Sequence, residues 1–173
     1  MSVIQPSDIK VYLSGGGTNT DPNASLGGER STTEMVDNNL HNLFAKVDAT
    51  EAAAGSTKYR GVYVRNEHGS LTLQDAIAFV SAQSTSTDTH IELGVAAEVT
   101  GVEMATIADE DTAPASISGS WISAVGEANG SNMDSFGSNV TRGLWVKRVV
   151  APGANAFGND TAKYGVRGET TST

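Results

Sequence analysis

Apolar and polar residues alternate through Asp8-Ile9-Lys10-Val11-Tyr12-Leu13, the pattern of a short strand with one buried face. The alternation then stops. Residues 14–28 are Ser, Gly, Thr, Asn, Asp and Pro, with only Ala24 and Leu26 apolar, and Gly15-Gly16-Gly17 and Asp21-Pro22-Asn23 exclude a helix or strand interior. A stretch of this length without regular structure is uncommon inside a domain and signals a functional or extended segment. Residues 1–36 are therefore read as an N-terminal arm that docks on something else. Leu13, Leu26 and Met35 would be its apolar anchors, and Gly15 and Gly16 would let its backbone lie close to a partner. On this reading the arm is mobile when the protein is alone, and residues 37–173 fold without it.

Leu40, Leu43, Phe44 and Val47 fall at helical spacing, in a segment short enough to be a strand entering the core instead. Ala52-Ala53-Ala54-Gly55 reads as a brief helical turn closed by glycine. From Tyr59 to Arg65 the pattern is a strand, with Tyr59 and Tyr63 on one face and Val62 and Val64 on the other. Glu67-His68-Gly69-Ser70 follows as a hairpin turn, leading to a strand through Leu71-Thr72-Leu73 and Ile77-Ala78-Phe79-Val80. Further strands are expected at His90–Val95, Val102–Ile107, Ile117–Trp121, Leu144–Val150 and Lys163–Gly168, with residues 126–138 as a long turn. Roughly eight strands with turn signals every 8–12 residues indicate an all-β antiparallel β-sandwich, immunoglobulin-like or jelly-roll.

Composition narrows the class. A chain of 173 residues suits one domain, and its 38% hydrophobic and 18% charged residues leave much of it to Ser, Thr, Asn and Gly, as turn-rich β proteins require. The net charge of -9 repels phosphate backbones, and the 11 basic residues are scattered, so no nucleic-acid partner is expected. With no cysteine there is no disulfide, thiolate metal site or cysteine nucleophile. The N-terminus lacks the basic-then-apolar order of a signal peptide, and no run approaches the roughly 20 apolar residues of a membrane span, so a soluble chain without a membrane partner is expected.

The candidate chemistry is thin. His41, His68 and His90 are too far apart in sequence to form a metal motif, and no Gly-x-Ser-x-Gly elbow accompanies the many serines. Gly15-Gly16-Gly17 lacks the Lys-Ser/Thr of a phosphate-binding loop. Asp109-Glu110-Asp111 is the best metal candidate, with Asp134 and Asp160 as remote additions, but its spacing is not that of a calcium loop and a solvated acidic turn is the plainer reading. Trp121 and Trp145 sit beside apolar residues, which favours core packing over a sugar platform. Lys147 and Arg148 point to opposite faces of one strand. No catalytic residue, cofactor or metal is assigned, and the chain is read as a non-enzyme.

Residues 8–16 together with Asn19–Gly28 resemble the opening of a family of small virion proteins of tailed bacteriophages. Thr57–Val64 with Leu71-Thr72-Leu73, Ala108–Pro114, Arg142–Arg148 and Val166–Thr170 follow that family's pattern in the same order. The resemblance implies a structural component of the virion, synthesised in the host cytoplasm and present as a homo-oligomer on other virion proteins. A capsid decoration (cement) protein comes first, clamping neighbouring subunits of the major capsid protein through its arm and sandwich surface. A tail, neck or baseplate protein comes second. From a different class, β-sandwiches also serve as carbohydrate- or cell-surface-binding modules.

Overall fold

The densest apolar run, Leu144-Trp145-Val146, lies in β7 (Thr141–Val150), at the centre of the larger of two sheets in the computed structural model, which describes residues 3–170. Around it are β1 (Ile9–Leu13), β2 (Ser56–Asn66), β4 (Thr89–Ala96) and β5 (Ile117–Ile122), in the order β1-β2-β7-β4-β5. The smaller sheet has the order β6-β3-β8, from β3 (Leu73–Ala82), β6 (Ser131–Phe136) and β8 (Lys163–Glu169). Every ladder is antiparallel, so the fold is an all-β antiparallel sandwich. The one α-helix among the described residues, α1 (Ala49–Ala54), is capped at its start by the Asp48 carboxylate and ends at Gly55, whose φ of 74° only glycine adopts freely. Among the described residues no helix is long and apolar enough to cross a membrane.

Alternation builds the core. Val62 and Val64, Leu144 and Val146, and Ile91, Leu93 and Val95 project from one face of the larger sheet onto Ala76, Ala78, Val80, Met133 and Phe136 of the smaller one. The opposite face carries Tyr63, Ala96 and Trp145, and it is not left to water: Met104, Ile107 and Leu26 close over it from two irregular segments. Strand glycines make that approach possible. A Cβ on Gly143 would lie 2.4 Å from Met104 Cγ.

Several expectations need correction. Residues 67–70 do not join a hairpin, because β2 and β3 belong to different sheets. The crossing is fastened by buried Asn66, whose Nδ2 donates to the carbonyls of Leu71 (2.8 Å) and Phe136 (3.3 Å) while its Oδ1 accepts from the His68 amide (3.1 Å). Residues 102–107 form no strand beyond one bridge between Met104 and Gly28; they are part of the outer cover. The long turn expected at 126–138 contains β6. Residues 40–47 are neither helix nor strand: Leu43 is buried and Leu40 stands in solvent.

The N-terminal segment is the largest difference. β1 pairs with β2 from Ile9↔Asn66 to Leu13↔Val62, and residues 31–35 fold back along its other edge through Leu13 N–H to Thr33 O (3.1 Å), Ser31 N–H to Leu13 O (2.8 Å) and Met35 N–H to Val11 O (2.8 Å). Past Leu13, the Ser25 carbonyl takes over pairing with β2, accepting from the Gly61 amide at 2.8 Å. The buried Ser14 hydroxyl donates to Gly61 O (2.7 Å) and accepts from Gly27 N–H (3.0 Å). Residues 9–36 thus complete the sandwich in cis and are not a free arm; the boundary expected at residue 36 falls where the chain leaves one packed piece for another.

Candidate docking surface

The five residues expected to anchor a partner part company in the structure. Leu13 is 2% exposed and belongs to the core between the sheets. Leu26 is partly buried in the outer cover. Gly15 and Gly16 shape the turn that returns the chain toward β1: both have positive φ, and their amides donate to Gly27 O (2.8 Å) and Glu29 O (3.0 Å). A Cβ on Gly15 would strike Ala24 O at 2.1 Å, so its role is a close approach within this chain. Met35 packs against the core, its sulfur 3.8 Å from the Tyr164 hydroxyl.

Leu13 and Met35 nonetheless meet again, in the floor of a shallow cleft of about 210 Å³ walled by Thr20, Pro22, Val36 and Leu40. Val36 and Leu40 are 56% and 76% exposed, a pair of large apolar side chains standing in water beside an apolar floor. Glu34 lines the same cleft and is tied to Lys10 at 2.8 Å, which raises the lysine above its ordinary value through that hydrogen bond and the carboxylate charge. Asn39 and Asn42 supply amides on the remaining wall. The arrangement offers apolar contact with a polar, partly acidic rim. Leu40 shares helical spacing with Leu43, Phe44 and Val47, but its polar setting in Asp37-Asn38-Asn39-Leu40-His41-Asn42 speaks against a regular element, and Asn38 and His41 take positive φ there.

The remaining chemical candidates are committed elsewhere. Asp109 Oδ1 accepts from the Asp111 amide (3.1 Å) and the Thr112 hydroxyl (2.7 Å), a local turn. Glu110 turns away from Asp109 and Asp111 to pair with Lys58 at 2.7 Å and with Arg60. Burial alone pushes the Glu110 carboxyl up, but the hydrogen bonds and charges of Lys58 and Arg60 outweigh it and hold the group below its ordinary value. Asp134 lies 3.4 Å from the buried Arg142, and Asp160 accepts from Thr85, the Ser86 amide and Thr89. Among the described residues no three His, Asp or Glu side chains stand together in a way that would hold a metal ion.

The histidines lie apart: His41 in the exposed segment, His68 accepting from the Leu71 amide at 3.0 Å, and His90 3.2 Å from Glu92. A second cleft, about 150 Å³, is bordered by Glu29, Arg30, Tyr63 and Glu103. Tyr63 donates to Gly28 O and accepts from the Met104 amide (2.7 Å), and burial pushes its phenol up, so it serves as a fastener for the outer cover.

The tryptophans differ. Trp145 is buried under the cover, whereas Trp121 is half-buried, 5.7 Å from the Tyr59 ring and 5.0 Å below the Lys147 ammonium, which also meets Glu92 at 2.6 Å. Compared with known proteins, the chain matches no family model, no curated protein and no solved structure.

Proposed function

We propose that this protein is a structural component of a tailed-bacteriophage virion, a capsid decoration protein that docks on the major capsid protein. The observation that carries this reading is the exposed pair Val36 and Leu40 beside the cleft floored by Leu13 and Met35. Apolar anchors next to a pocket and inside a polar rim are the usual anatomy of a protein interface. The rest of the molecule supports a passive role: the middle of the larger sheet is covered on both faces, and its Arg60 and Arg148 are paired with Glu110 and Glu51. Imaging particles assembled with and without this chain tests the reading. Added density in regular array on the capsid supports decoration, density on the tail or neck moves the protein to that station, and no difference rejects a virion role.

A carbohydrate-binding module is the second reading, on the strength of Trp121 with Tyr59, Lys147 and Glu92 on the outer sheet face. Aromatic rings beside ionic groups are the chemistry that holds a sugar. A shift in tryptophan emission on titration with glycans would favour it. No shift leaves Trp121 as packing.

A further inference from the structure

The joint between the N-terminal segment and the body has the construction of an exchange hinge. The last tie of the segment is the Met35 amide on Val11 O. The first tie of the body is Leu43, 5% exposed, followed by Phe44, whose ring lies 5.4 Å from the Arg60 guanidinium and 5.0 Å from that of Arg148. Residues 36–42 between them have no helix or strand, and Val36 through His41 are exposed. Asn38 and His41 sit at φ 62° and 58°, a conformation that side chains other than glycine adopt at a cost, so an extended hinge relieves strain that the folded-back one holds. Stretched out, this length of chain reaches about 24 Å.

We propose that residues 3–36 are exchanged between copies of this chain, β1 of one copy pairing with β2 of the next. The occupant of the β2 edge is then a second copy's segment, and the fit is already on display: the Leu13↔Val62 register, the Ser14 hydroxyl on Gly61 O and the burial of Ser25 and Ser31 are all reproduced between chains without a new contact. Leu13 and these serines are enclosed, so the segment does not slip out of a finished fold. The choice between own and neighbouring body is made during folding, and concentration decides it. Stretching the hinge carries Leu40 away from Leu13, Thr20 and Pro22, so the docking cleft belongs to the closed form and exchange is a separate property of the chain, asking only for many copies folding together.

The protein has no cysteine, and Val11 stands directly opposite Val64. Val11 turns its carbonyl to Met35, away from β2, so the two form a non-hydrogen-bonded pair, close enough for a disulfide. The Val11→Cys, Val64→Cys double variant, refolded at low and high concentration, oxidised and run on a denaturing gel without reductant, reports which chain each segment joins. The expected result is interchain-linked dimers or rings that increase with concentration, and a several-fold larger share when residues 38–40 are also deleted. Intrachain-linked monomers alone, at every concentration and with the shortened hinge, would overturn the proposal. Should the double variant fail to fold, wild-type chains in light and heavy isotopes refolded together and read by native mass spectrometry decide the matter. Mixed oligomers that form on refolding together but not when separately folded light and heavy chains are combined support exchange; monomers throughout, or oligomers that also mix after folding, reject it. Neither assay involves a virion, so a negative result leaves the docking reading standing.

Discussion

Arg60, fully withdrawn from solvent in β2, donates through Nη2 to the carboxylate of Glu110, fifty residues further along the chain. Asn23 Oδ1 accepts from the same nitrogen at 3.0 Å, so one guanidinium holds together the central sheet, the N-terminal segment and the outer cover. A buried guanidinium that loses its carboxylate is costly, and partial solvent access at Glu110 softens the loss. Glu110→Gln is expected to cost about 2–3 kcal/mol at neutral pH, measured by urea unfolding.

The same pair gives a pH signature. Glu110 has a folded pKa below the ordinary 4.5, so it binds a proton less readily folded than unfolded. Its contribution is complete above that ordinary value and is lost as pH falls through the lower folded one. Urea midpoints of wild type and Glu110→Gln should therefore converge on acidification below about pH 4.5. A gap that stays constant down to pH 3 would assign the stabilisation to something other than the charge.

Leu13 was expected to face a partner, and its burial between the sheets reverses the outcome of changing it. Leu13→Ala should lose about 2–5 kcal/mol of stability, as core leucines do. Removing residues 1–36 strips β1 and the Ser25 carbonyl from the β2 edge, and the product is expected to aggregate or unfold without a cooperative transition. A truncated chain that melts cooperatively would show that the body stands alone.

Gly27 tests the outer cover. At φ 89° a Cβ there would lie 2.0 Å from Ala105 O and 3.1 Å from the Trp145 ring. Gly27→Ala should destabilise by on the order of 3 kcal/mol and shift Trp145 emission to the red as the cover lifts.

Much of the architecture was legible because hydropathy reports burial where burial is apolar. The Leu144–Val150 run and the Val62/Val64 alternation gave their strands directly, and Ala52–Ala54 with Gly55 gave the helix. What hydropathy missed was buried by other means. Ser14, Ser25 and Ser31 are enclosed because backbone groups satisfy their hydroxyls, so a polar, glycine-rich stretch looked like a free arm. β6 escaped notice because only Met133 and Phe136 of Ser131–Phe136 face inward, three residues apart around a bulge at Asp134, whose φ is 62°. Val102–Ile107 passed for a strand on its alternation, yet Met104 and Ile107 dock as a lid. Sheet membership was beyond reach: the turn at 67–70 reads alike whether the chain doubles back or crosses. The candidate cleft was half visible, since Leu13 and Met35 were singled out as anchors while Val36 was passed over and Leu40 was noted only for its helical spacing.

Val36 and Leu40 are largely exposed, so Val36→Asp with Leu40→Asp should leave the unfolding free energy, measured with urea, within about 0.5 kcal/mol of wild type. That neutrality makes the pair the sharpest probe of docking. Cosedimentation of purified chain with phage particles assembled without it, wild type against the double variant, measures docking directly. Saturable binding in many copies per particle is expected, with at least a tenfold weaker association for the variant, about 1.4 kcal/mol or more for the two lost apolar anchors together. Wild-type protein that stays in the supernatant, or a variant that binds as well as wild type, would contradict it.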